Sequence, residues 1–405
     1  MRSSYKRIGH YIRLVDERNR DLKVDTLLGL TIDKEFIPSV ANIVGSDMAN
    51  YKIIRKGQFA CSLMQVRRDK KIPVALLRAF DEAIISQAYP VFEIADTKQL
   101  LPEYLMMWMS RSEFDREACF YAVGGVRGSL EWEDFCDMEL PIPSIEKQRE
   151  IVKEYHTIVD RIRLNEQLNQ KLEETAQGIY KHWFVDFEFP ISSEYAVANG
   201  KPELEGKPYK SSGGEMVYND ELDQEIPQGW GACHLEDIAV MKYGKMLDTA
   251  LMKEKGYPVY SGYGIRGFYK KYMYEEPQVL VIARGVSGTG EVKLSPAKSY
   301  ITNLSIVVEI ESNMPDKYFL YYYLKSKNLR SLDSGSAQSQ ITIGDLNKVT
   351  ILTPLEKLQK IFGQIASRLA ANGTNILLEN TFMSNFQNVL LSRVSLFREP
   401  SNEIH

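Results

Sequence analysis

The sequence predicts an α+β protein. Two pseudo-symmetric globular halves, each mixed α/β around a β-sheet core, are separated by two long helices that pair as an antiparallel coiled coil. Three observations carry this expectation. The middle of the chain holds an unbroken heptad seam, and the C-terminal region holds a second one. The third is a repeat that relates the two halves at an offset of 211 residues, taking Gly124 to Gly335, Asp134 to Asp345, Pro143 to Pro354 and Gln148 to Gln359.

In the central seam, Ile151, Tyr155, Ile158, Ile162, Asn165, Asn169, Leu172, Ala176, Ile179 and Trp183 alternate steps of four and three. That period packs one helix against another. Asn165 and Asn169 cost stability there but can set register and partner. No Gly or Pro intervenes before Gly178, and the aromatic run Trp183–Phe189 followed by Pro190 closes the helix. About forty residues at ~1.5 Å each make a rod of about 60 Å. The C-terminal seam reads Leu358, Phe362, Ile365, Leu369, Asn372, Ile376, Glu379, Met383, Phe386 and Leu390. A seam needs a partner, and a duplicated chain supplies one: helices related by a pseudo-two-fold run antiparallel.

The expected order is a first head over residues 1–143, the central helix as a spacer over 144–190, a linker over 191–230, a second head over 231–354 and the C-terminal helix over 355–400. In the first head, Leu27–Ile32 and Ile53-Ile54 read as strand pieces. Pro102 opens a helix, being tolerated where a first-turn N–H has no partner anyway. A Gly-rich loop follows at Gly124–Leu130, then a turn at Glu131–Phe135 and an edge-like strand at Met138–Pro143. Residues 191–230 are rich in Pro, Gly, Ser and acidic side chains and read as a linker or a surface-hugging loop. In the second head, Val279–Ala283 and Leu304–Val308 are strands by run length and β-branching.

Composition bounds the class. With 405 residues, 44% of them hydrophobic, the chain can bury two or three cores of about 150 residues each. No apolar run reaches the roughly eighteen residues of a membrane span. The basic N-terminus lacks the apolar stretch of a secretion signal, so a cytoplasmic protein is expected. Cys61, Cys119, Cys136 and Cys233 stand singly, and none of the five histidines has a partner at metal spacing. Reduced thiols and no metal site are expected. A net charge of −4 argues against a uniformly basic coat, yet phosphate contact depends on local patches.

Two such patches stand out. Residues 52–78 carry Lys52, Arg55, Lys56, Arg67, Arg68, Lys70, Lys71 and Arg78 against Asp69 alone. Residues 242–298 interleave cations, among them Arg266, Lys270, Lys271 and Arg284, with Tyr257, Tyr260, Tyr263, Phe268, Tyr269, Tyr272 and Tyr274. Cations hold phosphates, while aromatic, amide and guanidinium groups meet bases. The candidate DNA-contacting set is Arg55, Lys56, Arg67, Arg68, Lys70, Lys71 and Arg127 in the first half. In the second half it is Tyr263, Arg266, Lys270, Lys271, Arg284, Gln338 and Gln340. Arg127, Gln338 and Gln340 sit in matching loops of the repeat. The plainer reading of these patches is lysine-guarded strand edges and a tyrosine-rich sheet surface. Nucleotide-binding, metalloprotease and amino-methyltransferase motifs are absent, so no catalytic residue is assigned.

Leu140–Arg149 leads into the first rod, Leu172–Phe187 closes it, and Tyr209–Met216 with Ile226–Trp230 enter the second half. In these segments the chain resembles the specificity (S) subunits of type I restriction–modification systems. Thr353–Gln359 departs from the Pro-x-Pro form of the first half. The resemblance implies that each head is a target recognition domain reading one half of a split, asymmetric DNA sequence. It implies that the coiled coil sets the gap between half-sites and binds two modification (methyltransferase) subunits, which restriction (helicase and nuclease) subunits join. It implies a non-catalytic chain without cofactor, with S-adenosylmethionine, ATP and Mg2+ acting on partner subunits. The competing reading is a protein-only coiled-coil scaffold with two β-rich heads, for which the clustered cations would have no use.

Overall fold

The structure, a computed structural model, describes residues 5–39, 47–64, 66–122, 128–285, 288–310, 315–333 and 339–394. It divides into two compact units, Met1–Asn165 with Leu377–His405, and Glu166–Ile376.

The first stretch of chain forms strands β1 Tyr5–Arg7, β2 Ile12–Val15, β3 Leu28–Leu30, β4 Phe36–Pro38, β5 Lys52–Arg55, β6 Phe59–Cys61, β7 Val74–Leu76, β8 Glu82–Ile85, β9 Val91–Ile94 and β10 Glu139–Pro141. Its helices are α1 Val66–Asp69, α2 Pro102–Met109, α3 Ser112–Tyr121 and α4 Trp132–Asp137. The long helix α5 Ile145–Phe184 follows, then α6 Ser193–Ala198. Beyond it lie β11 Met216–Asn219, β12 Gln224–Pro227, β13 Gly231–His234, β14 Ala239–Tyr243, β15 Tyr257–Tyr260, β16 Ile265–Tyr269, β17 Val279–Ile282, β18 Val292–Leu294, β19 Tyr300–Ile301, β20 Ser305–Ile310 and β21 Thr350–Thr353. Helices α7 Lys317–Ser326, α8 Ile343–Asn347 and α9 Glu356–Arg393 complete the chain.

In the first unit an antiparallel sheet is ordered β2-β9-β6-β7. Successive side chains of a strand point to opposite faces, and β6 shows it. Phe59 and Cys61 join a core with Phe92, Tyr104 and Leu105 of α2, Phe114 of α3 and Phe135 of α4, while Ala60 joins Leu28, Ile54 and Ile85 on the other side. Phe59 and Phe92 are cross-strand partners whose rings stack 5.0 Å apart. A buried ion pair binds the loops to this core. Lys34 Nζ lies 2.8 Å from the Asp115 carboxylate, and both side chains are nearly dry, at 8% and 12% exposure. Lys34 also donates to the Met109 carbonyl, and Asp115 Oδ1 accepts from the Ile72 N–H at 3.1 Å. Burial pushes the Lys34 amine below its usual range, and the Asp115 charge acts in the opposite direction.

The second unit repeats this plan. Its sheet is ordered β14-β20-β17-β18, with the same antiparallel pairings. Val279, Val281, Ile306 and Val308 face the core built with α7, and Leu280 and Val307 face Ile301 and Tyr260 of the smaller sheet β16-β15-β19, with Tyr274 beside them. In the first unit β1 pairs with β10, and in the second β13 pairs with β21, each at the foot of a long helix. The offset of the repeat reappears as a side-chain clamp. Gln148, fully buried, donates from Nε2 to the carbonyls of Gln99 and Pro143 at 2.8 and 2.9 Å and accepts from the Leu101 N–H at 2.9 Å. Gln359, 3% exposed, donates to the Pro354 carbonyl at 2.8 Å and accepts from the Asp316 N–H at 3.2 Å.

Within each unit the two long helices run antiparallel. In the first, Gln387 donates to Tyr155 Oη at 2.8 Å, Arg161 pairs with Glu379 at 3.0 Å, and Asn165 donates to Asn380 at 2.8 Å, so the contacts on α9 descend as those on α5 ascend. In the second, Asn169 lies over Gly373, and the Phe362 ring meets Tyr180, Phe184 and Trp183. Asn165 is 3% exposed, so its pairing with Asn380 satisfies an amide that would otherwise be stranded. Of the expected seam, Ile151, Ile158, Phe362, Ile376 and Leu390 are buried. Tyr155, Ile162, Leu172, Ile179, Ile365, Leu369 and Met383 are half-buried.

Three expectations about the helices need correction. Asn372 and Phe386 are exposed, and Gly373 and Gln387 take the inward positions. Gly373 lies in the inward place because a Cβ there would sit 2.5 Å from Asn169 Oδ1. Helix α5 ends at Phe184, before the aromatic run is complete. Phe187 turns to a φ of 60°, and the chain bends so that Phe187 and Phe189 pack on Trp230 at 5.7 and 5.1 Å. Burying two aromatic rings outweighs one more helical turn. The stretch expected as a linker also holds α6 and the β11–β12 hairpin, and it places Ile191, Ala196, Tyr209 and Ile226 in the core. Among the described residues, no helix is long and apolar enough to cross a membrane.

Candidate nucleic-acid interface

In both units the connection from the second to the third sequential strand of the main sheet is bonded to the segment that precedes the short helix. In the first unit this is the β6–β7 connection. The Leu130 N–H donates to the Leu63 carbonyl at 2.9 Å, and the Arg67 N–H donates to the Gly128 carbonyl at 3.1 Å. Gly128 has a φ of 60°, and a Cβ there would lie 2.5 Å from Arg67 Cβ. Only glycine permits that approach, and it seats α1 with its cations.

The β17–β18 connection of the second unit does the same. The Ile341 N–H donates to the Ala283 carbonyl at 3.0 Å, and Arg284 bridges Gln340. Tyr263 covers this turn. Its hydroxyl donates to the Arg284 carbonyl at 3.1 Å, and a Cβ on Gly285 would fall 1.6 Å from that oxygen. Tyr263 therefore acts as a brace for the loop that presents Arg284. The Arg284 guanidinium stands 5.9 Å from the centre of the Tyr243 ring, and its buried Nε has no hydrogen-bond partner among the described residues.

The other candidates differ in how free their charge is. Arg55 is held by Glu17 at 2.7 Å and Glu82 at 2.6 Å. Lys56 lies 3.7 Å from Asp81, Arg68 is 2.7 Å from Asp69, and Lys71 is 3.1 Å from Asp33. Arg67 and Lys70 on and beside α1 are exposed and make no ion pair among the described residues. Lys270 and Lys271, in the turn after β16, are likewise exposed. Arg266 donates from Nε to Ser261 Oγ at 3.3 Å. Arg127 and Gln338 lie outside the described residues. The structure thus brings Arg67, Arg68 and Lys70 together on one connection and joins Arg284, Tyr263 and Gln340 on its counterpart. Arg55 and Lys56 sit apart from α1, at the β5–β6 turn.

Sequence reasoning missed two features here. Phe120 and Tyr121 end α3 as an exposed aromatic pair, and Cys119 beside them donates to the Val66 carbonyl of α1 at 3.4 Å. Two consecutive aromatics on an otherwise polar helix, just before a Gly-rich loop, were the available signal. Tyr243 was the second, and its contact with Arg284 has no local signature.

Two copies of one fold, each with arginine on the same strand connection, define a duplicated protein. The chain belongs to the family of the type I restriction modification DNA specificity domain, whose model matches residues 66–174 and 227–381, more than half of the sequence. It is similar to the type I restriction enzyme MjaIX specificity subunit of Methanocaldococcus jannaschii, at 27% identity over 279 residues. That match takes in 64% of this chain and 59% of the archaeal protein, so the chain spans less than two thirds of that relative's length. The HindI specificity subunit of Haemophilus influenzae is 24% identical over 404 residues, covering 85% of this chain and 86% of that one. In fold, the chain is similar to the type I restriction–modification S subunit from M. genitalium, with a TM-score of 0.59 at 15% identity, over 98% and 96% of the two chains. Both relatives are specificity subunits of type I restriction enzymes, and the family model is that of a DNA specificity domain.

Proposed function

We propose that this chain reads a bipartite, asymmetric DNA target in the cytoplasm, one half-site per head, and scaffolds two modification subunits and the restriction subunits around it. The chain works without a cofactor of its own; S-adenosylmethionine, ATP and Mg2+ act on the partner subunits. The observation that carries this reading is the repeated strand connection with its cations, the exposed Arg67 and Lys70 in one unit and the half-buried Arg284 in the other. Exposed cations without carboxylate partners are free to replace the counterions of a DNA backbone. Arg284, half-buried on its braced turn beside Gln340, has the donor fork that suits guanine, and Gln340 has the amide that suits adenine.

The test is binding of the full chain with its modification subunits to its duplex target, measured across salt concentrations. Arg67→Ala and Lys271→Ala are each expected to weaken binding for all sequences and to reduce the slope of log K against log salt by roughly one. Unchanged affinity and slope in both variants would remove these residues from the DNA face.

The long helices set the spacing between half-sites in this reading. Removing one heptad from each helix keeps the seam in phase and shortens it by about 10 Å, or roughly three base pairs. Methylation mapping is expected to show unchanged half-sites separated by a spacer about three base pairs shorter. A folded variant that keeps the original spacer rules the helices out as the ruler.

A further inference from the structure

We propose that Phe120 is a wedge that enters a base step of the half-site read by the first unit, so that this half-site is selected partly by how easily it unstacks. The proposal rests on the DNA-reading function above and adds a residue and a mode of readout to it.

Phe120 is 75% exposed at the end of α3, in edge-to-face contact with Tyr121 at 5.7 Å. The helix has no need of that ring for its own packing. Its inward face is Phe114, Asp115 and Ala118, all buried. The position is rigid, because Asp115 is locked to Lys34 and to the Ile72 N–H, and Cys119 is bonded to the first residue of α1. A large ring held out in water by a rigid support leaves its apolar area free to be buried by a partner.

The surroundings say what covers it. Arg67 and Lys70 flank the helix end through α1, exposed and without ion-pair partners among the described residues. Lys70 is near enough for its charge to act on the Cys119 thiol, against the burial that pushes that thiol up. An aromatic ring beside a helix that carries free cations is complementary to a phosphate backbone with stacked bases inside it. Apolar wedges of this kind unstack a step at a cost of a few kcal/mol and are repaid by the contacts the opened step allows. Among the described residues the second unit shows no equivalent at the matching helix end. From α7 through the 3-10 turn at Leu329–Leu332, no large hydrophobic side chain is exposed among the described residues. The two heads therefore differ in mechanism as well as in sequence preference.

The test uses the full chain with its modification subunits and duplexes carrying 2-aminopurine at successive positions of each half-site. Wild-type binding is expected to raise fluorescence at one step of one half-site. Phe120→Ala is expected to abolish that rise and to weaken binding on the order of tenfold, the usual worth of one base–aromatic stack, with an unchanged salt slope. Phe120→Trp should keep the rise. Arg67→Ala combined with Lys70→Ala should lower the salt slope and keep the rise at saturating protein. A rise that persists in Phe120→Ala, or unchanged affinity, overturns the wedge while leaving the DNA face intact. Loss of copurifying modification subunits from Phe120→Ala with normal DNA binding also overturns it, by showing a protein contact. If the Arg67/Lys70 double variant binds with normal affinity and slope, it is the underlying DNA-face reading that fails.

Discussion

Replacing Asp115 by alanine is expected to destabilise the first unit by about 3–5 kcal/mol, the usual cost of stranding one partner of a buried ion pair. Lys34 would keep an ammonium in a site whose side chain is 8% exposed, with the Met109 carbonyl the one acceptor left among the described residues. The Ile72 N–H would lose its acceptor as well. Three parts of the head meet at this carboxylate: the turn between β3 and β4, the start of α3 and the loop between α1 and β7. Native-state hydrogen exchange should show lost protection in these elements, with the residues of the second unit unchanged. The double variant Lys34→Met with Asp115→Leu should recover most of the loss, because a packed apolar pair can replace a buried ionic one. A single variant costing less than about 1 kcal/mol would show that the pair does not hold these loops. Functionally, Asp115→Ala should erase recognition of one half-site before the other, since it also loosens the support of Phe120.

Phe362→Ala is expected to cost about 3–5 kcal/mol in the second unit, the range for a buried Phe cut to a methyl. The ring is fully buried among Tyr180, Trp183, Phe184 and Tyr322, with centroids 5.3 to 6.3 Å away. It joins α5, α7 and α9 in one contact. Thermal unfolding followed by tryptophan fluorescence reports on it directly through Trp183. Phe362→Leu, which refills most of the volume, should lose much less. Equal losses for the two would mean that ring geometry, and not filled volume, sets the cost.

Much of this architecture is legible in the sequence, for a physical reason. A seam between helices demands apolar side chains at a strict period, so α5, α9 and their antiparallel pairing are written in residue type. The repeat is readable where side chains perform the same specific task in both halves, as Gln148 and Gln359 do. It fades in the sheets. Backbone ladders accept any side chain that packs, so β6 and β17 occupy one topological place with little identity. Connections of different length also shift the matching positions, as Leu101 with Asp316 shows. The candidate interface is legible as charge but not as availability. Arg55 looks as basic as Arg67 in the sequence, and only the fold shows Glu17 and Glu82 closing on it. Lys34 and Asp115 likewise give no local sign that they meet. The seam also slips by one position at Gly373 and Gln387, because an antiparallel partner selects by fit to Asn169 and Tyr155 as well as by hydrophobicity.

The buried glutamines have a mechanical consequence. Each welds the first turn of a long helix to the backbone of its own head, using one amide for both donor and acceptor. A head that swivelled on its helix would have to break these bonds together and leave the amide dry and unsatisfied. The joint at Gln148, and the one at Gln359, is therefore a bracket and not a hinge. Any compliance this protein needs as it settles on a curved or twisted duplex has to come from bending along the helices or from the loops at the far rim of each head.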